Sequence, residues 1–289
     1  MVAASRNRVT IMKAIRQRLL FGILAMVLVL GFSQVTLADT KSPDQLWKQI
    51  YDRPERLAAL EQPVIVYLDI QLEDIVRGGL KKLTDPMKQA NQIRMREQFK
   101  TLSGLDCLVV HRSEVTGADL DRPNVKAILI SGRNTTDVPP DDQPFYGLIR
   151  NTKIPMIGFC GGGQLIGKAY GFDIVRMRRL KEGETDPMPT YHPGFFKERG
   201  FLKVQIVKRD PLFAGLGKEI VVKETHAFQL PDVPKGFELL ASTAECRVQA
   251  IKDRKRLVYG VQFHPEQYDE THTDGRKVLE NFFRLALEH

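Results

Sequence analysis

Apolar residues along this chain come in two textures. The first is a set of near-continuous runs, PVIVYLDI (63–70), LDCLVVHR (105–112), VKAILISG (125–132) and IPMIGFC (154–160), each bounded by polar, Gly or Pro residues. Runs without polar alternation predict strands buried on both faces of a parallel sheet. Between the first two, Asp85–Leu102 is rich in Met, Gln, Arg, Lys and Glu and predicts a helix, and 144–151 predicts a short helix leading into the fourth run. After Gly171 the texture changes to FLKVQIVKR, EIVVKETHAF, FELLAST, VQAIKDR and LVYGVQFH, closely spaced strands divided by turn residues. That spacing predicts an antiparallel section added to the sheet. From Gly275 onward apolar residues recur at helical spacing, predicting a helix over one face. The pattern shows no internal repeat, and it predicts one α/β domain spanning 43–289: a parallel-to-mixed sheet flanked by helices.

The amino terminus has a different pattern. Arg6, Arg8, Lys13, Arg16 and Arg18 precede fourteen uncharged, mostly apolar residues, Leu19–Phe32, and Thr36-Leu37-Ala38 follows before Asp39. A basic segment, an apolar segment and a small-x-small site predict a signal peptide over 1–38 and an exported (periplasmic or secreted) protein. The apolar run is short for a membrane span, so an uncleaved anchor is the alternative. Translation starts at Met1 or Met12, and no Cys near the cleavage point indicates a lipid anchor.

Composition then narrows the function. The net charge is +8, but residues 1–38 carry five basic groups and no acid, leaving +3 for the rest. Scattered charges at that level describe a solvated surface, so no nucleic-acid partner is expected. Three cysteines leave one odd thiol; a Cys107–Cys246 bridge is open in an oxidising compartment, with Cys160 free. No Cys/His spacing suits a metal and no Gly-rich loop suits a dinucleotide, so neither metal nor cofactor is expected.

The candidate chemistry sits where two runs stop. IPMIGFCGGGQ ends its apolar run on Cys160 and continues into Gly161, Gly162 and Gly163. A thiol between a buried strand and a helix protrudes from a sharp turn, and the positive end of the helix favours its anion. Glycines relieve the crowding of such a turn, and the N–H after the nucleophile faces a developing oxyanion. VYGVQFHPE ends on His264 and Glu266. In extended chain, residues two apart share a side, so Glu266 can hold one imidazole nitrogen while the other faces Cys160.

These strings resemble the class I (triad) glutamine amidotransferases, which are related to the γ-glutamyl hydrolases. Gly158-Phe159-Cys160-Gly161-Gly162-Gly163-Gln164 fits that family's G-x-C-x-G-x-Q turn, and VYGVQFHPE fits its His/Glu strand. The resemblance implies a flavodoxin-like sheet and a Cys160–His264–Glu266 triad that releases ammonia from glutamine through a γ-glutamyl thioester. It implies an oxyanion hole from Gly161 with the Gly132 and Arg133 loop, and a substrate pocket involving Gln164, His226 and Gln229. It also implies a small-molecule substrate and a synthetase or acceptor partner.

Two segments depart from the family's pattern. Gly132-Arg133-Asn134 stands where many members have Gly-Gly-Pro, and Thr225-His226-Ala227-Phe228-Gln229 stands where Ser-His-Gly-Asp is usual. TYHPGFFKERG (190–200), with His192, is a further loop that could line the acceptor side. Export fits a free-standing γ-glutamyl peptide hydrolase better than an ammonia donor, and a catalytically idle scaffold is the reading outside enzymes.

Overall fold

The first three long apolar runs form strands β1 (Val64–Asp69), β2 (Asp106–His111) and β3 (Val125–Ile130), and the fourth forms β4 (Met156–Phe159). The computed structural model describes residues 41–134 and 140–289, so the expected signal peptide or anchor over 1–38 lies outside the described residues. Pro43–His289 group into one unit. No helix among the described residues is long and apolar enough to cross a membrane.

β1 shows why these runs lack alternation. All six of its residues are buried; Ile65 and Tyr67 enter one core, whereas Val64, Val66 and Leu68 enter the other. The sheet has helices on both faces, so both sides of the pleat are apolar. Helices α1 (Pro43–Ile50) and α2 (Pro54–Ala59) precede β1, and α3 (Glu73–Leu80) follows it. The segment expected as one helix over 85–102 is two, α4 (Pro86–Gln89) and α5 (Asn91–Ser103). Asp85 caps α4 through Lys88 N, with Pro86 in its first turn, and extended Ala90 (ψ 131°) breaks the run. α5 buries Gln92, Met95 and Phe99, one stripe at helical spacing. Next come α6 (Gly117–Leu120), α7 (Gln143–Asn151) before β4, and α8 (Gly161–Ala169) after it.

The remaining strands are β5 (Val175–Arg176), β6 (Glu198–Ile206), β7 (Glu219–His226), β8 (Phe228–Gln229), β9 (Phe237–Ser242), β10 (Ala250–Asp253) and β11 (Val258–Val261). The main sheet runs β2-β1-β3-β4-β11-β10-β9-β6-β7, and β5 pairs with β8 in a separate ribbon. From β2 to β11 the pairs are parallel, and from β11 to β7 antiparallel. The parallel half has the flavodoxin-like order, in which sites form beyond the carboxyl ends of the strands. The helix expected near the carboxyl end is α9 (Asp274–Glu288), which buries Val278, Leu279, Phe282 and Phe283. β4 and β11 lie side by side, with Gly158 opposite Gly260 and Phe159 opposite Val261. Cys160 and His264 therefore leave the sheet at the same edge.

Candidate active site

Cys160 sits between β4 and α8 with φ 47° and ψ −107°, a positive φ that side chains rarely tolerate. A non-glycine residue stays there only when its surroundings hold it. Its N–H donates to Val261 O at 2.8 Å, and its carbonyl accepts from Gln164 N at 2.9 Å. The following glycines serve close approach: a Cβ on Gly162 would lie 2.4 Å from Ile130 O, and one on Gly161 2.8 Å from Arg133 N. The helix end is thereby seated directly on the strand ends.

β11 ends at Val261, and His264 has left the ladder by one short turn; its neighbour Glu266 belongs to a 3-10 turn, Pro265–Gln267. The extended geometry read from the sequence is thus replaced by a tight turn, yet the two side chains still meet. His264 Nδ1 lies 2.7 Å from Glu266 Oε1, which leaves Nε2 as the ring nitrogen available to Cys160, whose charge acts on the imidazole. Both Glu266 and Cys160 are buried. Glu266 Oε2 has no hydrogen-bond partner among the described residues, so the carboxylate's bonding is concentrated on the imidazole. Burial alone would lower the His264 pKa, but the charges of Glu266 and Cys160 and the hydrogen bond to Glu266 hold it well above the usual value. That environment favours a protonated imidazole beside the sulfur.

The far end of the sheet also contributes. His264 N donates to Lys223 O at 2.8 Å, and Thr225 O lies 3.9 Å from Cys160 Sγ. β7 lies four strands from β11, so the antiparallel section must coil for its end to reach the site. Gly132 closes the other side, where a Cβ would lie 2.6 Å from His264 Cε1.

A small pocket opens from the sulfur between Gln164, Thr225, His226, Phe228, Tyr191 and Arg199. Gln164 is buried and donates to Phe228 O at 2.8 Å and Gln262 Oε1 at 3.1 Å, shaping the wall. His226 borders the pocket with both ring nitrogens occupied: Nδ1 faces Phe228 O at 3.1 Å, and Nε2 faces Glu198 at 2.9 Å and Glu224 at 3.2 Å. Gln229 pairs with Val175 in the β5–β8 ribbon and is not brought to the pocket lining. A second cleft, of about 240 Å³, also reaches Cys160 and includes His264, Gly132, Tyr67, Gln71 and Asn91.

Several site residues were not singled out from the sequence, although Arg199 lies in the loop 190–200 that was offered as a possible pocket lining. Arg199 is exposed at the mouth of the pocket, where its guanidinium reaches Met188 Sδ and has no carboxylate partner among the described residues. Gln262 donates to Cys160 Sγ at 3.5 Å; its place two residues before His264 could have flagged it. Glu198, His226 and Cys246 present donor atoms within 4.8 Å of one another, a grouping that sequence spacing did not reveal. Within it His226 is bonded to Glu198 and lies 3.2 Å from Glu224; burial would lower its pKa, but these acidic neighbours raise it to about 10. All three cysteines are free; burial pushes Cys107 up to about 12 and Cys246 higher still, which leaves both poor nucleophiles.

Comparison with known proteins identifies the family. The family model for glutamine amidotransferase class-I matches residues 97–286. A glutamine-hydrolyzing GMP synthase subunit from Methanocaldococcus jannaschii is 33% identical over 166 residues, covering 56% of this chain and 74% of that protein. The glutamine-hydrolyzing GMP synthase of Staphylococcus aureus (strain MSSA476) is 31% identical over 180 residues, 62% of this chain; the match spans only 31% of that relative's length. Among solved structures, a glutamine amidotransferase from Methylobacillus flagellatus has a TM-score of 0.55 at 15% identity, covering 79% of this chain and 95% of that one. One from Thermotoga maritima has a TM-score of 0.52 at 18% identity, covering 79% and 98%. The family match spans both the turn that carries Cys160 and the turn that carries His264 and Glu266, and the chain belongs to the class-I glutamine amidotransferases.

Proposed function

We propose that the chain hydrolyses the γ-carboxamide of glutamine through Cys160, His264 and Glu266. The observation that carries this reading is the meeting of a strained Cys160, poised against Gly161 and Arg133, with an imidazole already held by Glu266. The thiolate attacks the amide carbon, and the electron pair moves to the carbonyl oxygen, which the N–H groups of Gly161 and the Gly132–Arg133 loop receive. His264 gives its Nε2 proton to the departing nitrogen, so ammonia leaves and a γ-glutamyl thioester remains. Neutral His264 then takes a proton from water, whose oxygen attacks the thioester and returns the thiolate with glutamate. Glu266 keeps the ring in one tautomer and stabilises its charged form. Arg199, lacking an acid of its own among the described residues, takes the α-carboxylate of the substrate.

The relatives' names support a partner that consumes the ammonia, since the Methanocaldococcus protein is named as one subunit of a synthase. The cleft beyond His264 supports a second reading, because it has room for a leaving group larger than ammonia. That reading, γ-glutamyl peptide hydrolysis, also suits the export proposed from the amino-terminal segment. The test is glutamate release from glutamine and from a γ-glutamyl dipeptide, side by side, with Cys160→Ala as control. Turnover of glutamine that vanishes in a folded Cys160→Ala supports the first reading; turnover of the dipeptide alone replaces it with the second. Residual activity above about a tenth of wild type in Cys160→Ala would remove the thiol from the mechanism, given that nucleophile losses are far larger.

A further inference from the structure

Arg133 stands in the loop that faces the nucleophile's turn, and its guanidinium is tied into a buried cluster. Nη1 donates to Asp142 Oδ1 and Nη2 to Asp142 Oδ2, each at 2.7 Å. The same carboxylate accepts from Lys168 Nζ in the last turn of α8 and from Arg112 Nη1 just beyond β2, each at 2.7 Å. Asp142 has 0% side-chain exposure and Arg133 5%. Burial alone would raise the Asp142 pKa, but the bonds from Arg133, Lys168 and Arg112 hold it well below the usual carboxylate range. It therefore stays ionised, and three elements converge on one anion.

One of those elements is the loop, and another is the helix whose first peptide follows Cys160. The two touch at the other end as well, for a Cβ on Gly161 would lie 2.8 Å from Arg133 N and 2.9 Å from Arg133 Cγ. We propose that the Arg133–Asp142 ion pair is a positioning device for the oxyanion hole, holding the Gly132–Arg133 peptide in register with the Gly161 N–H. A two-point guanidinium–carboxylate contact sets orientation as well as distance, and lysine cannot reproduce it. The Arg133 side chain acts through its own backbone and touches no reacting atom. The inference rests on Cys160 being an acyl-attacking thiol, so the test separates that reading from the role of the pair.

Two reactions of Cys160 divide the effects. With p-nitrophenyl acetate, sulfur bonds to the carbonyl carbon and the electron pair moves onto oxygen; it returns as the bond to p-nitrophenolate breaks. With iodoacetamide, sulfur displaces iodide and no oxyanion forms. Both rates are measured on the full chain, with Cys160→Ala subtracted and thermal melting recorded. Arg133→Met is the primary variant, because it leaves Asp142 two cations, whereas Asp142→Asn strands three. Arg133→Met should slow acylation by about tenfold or more, within the roughly 10²–10³ of a lost oxyanion donor, and leave alkylation within about twofold. Arg133→Lys should fall between. Equal loss in both reactions, or loss in neither, overturns the proposal. A wild type that is acylated yet never hydrolyses glutamine sinks the glutamine reading while the acylation ratio still decides this one.

Discussion

Replacing Gly132 by alanine adds one methyl group, 2.6 Å from His264 Cε1 and 3.5 Å from Cys160 Cβ. Carbon atoms rest at about 3.5–4.0 Å, so the imidazole must retreat by roughly 1 Å. It has little room to do so. Its Nδ1 is bonded to Glu266 at 2.7 Å and its backbone N–H to Lys223 O at 2.8 Å. Retreat stretches the charge-assisted bond to Glu266 or swings Nε2 away from the sulfur. A hydrogen bond to a charged group contributes about 1.5–3 kcal/mol, which is roughly 10–150-fold in rate. Displacements near 1 Å carry losses of about 10²-fold in other sites. We expect Gly132→Ala to lower kcat for glutamine by about 10–10²-fold, with KM within about threefold, because the pocket on the Gln164 and Arg199 side is untouched. The assay is steady-state glutamate release with a thermal melt on the same preparation. Gly147→Ala, in α7 where nothing lies within 4 Å, is the control and should keep kcat. A folded Gly132→Ala with nearly wild-type kcat would refute the assignment of His264 as the proton carrier in this geometry.

Two further outcomes follow from the charges. His226 has a folded-state pKa of about 10 against an ordinary 6.5, a raised value. Its stabilisation is therefore full below about pH 6.5 and lost as pH rises towards 10, by at most about 1.4 kcal/mol per unit in that window. Melting temperatures from pH 6 to 10 should show wild type losing its advantage over His226→Gln; parallel curves would count against the charged network with Glu198 and Glu224. Arg199→Met should raise KM for glutamine about tenfold or more with kcat nearly kept, the size expected for one charged hydrogen bond. 4-Aminobutanamide lacks the α-carboxylate, so its KM should not respond; an equal rise for both substrates would mean Arg199 only packs.

Local rules made much of this protein readable. Runs such as VIVYLD are continuous because a strand with helices on both faces must be apolar on both sides of the pleat. A strand that ends in a nucleophile and three glycines announces a crowded turn, and His264 and Glu266 are so close in sequence that they meet by local geometry. The helix expected over 85–102 divides at Ala90, where the composition stays helical but the Asp85–Pro86 start sets up a separate short turn. What only the tertiary structure decided is everything that depends on strand order and coiling. β4 beside β11 brings Cys160 to His264, and the coiled antiparallel section returns Lys223 and Thr225 to them. Asp142 gathers Arg112, Arg133 and Lys168, and Glu198 meets His226, from segments with no shared motif. A sequence encodes spacing along the chain directly, whereas contacts between distant segments arise from the cooperative burial that chooses the sheet order. The candidate reactive groups were therefore legible, and the residues that hold them in place were not.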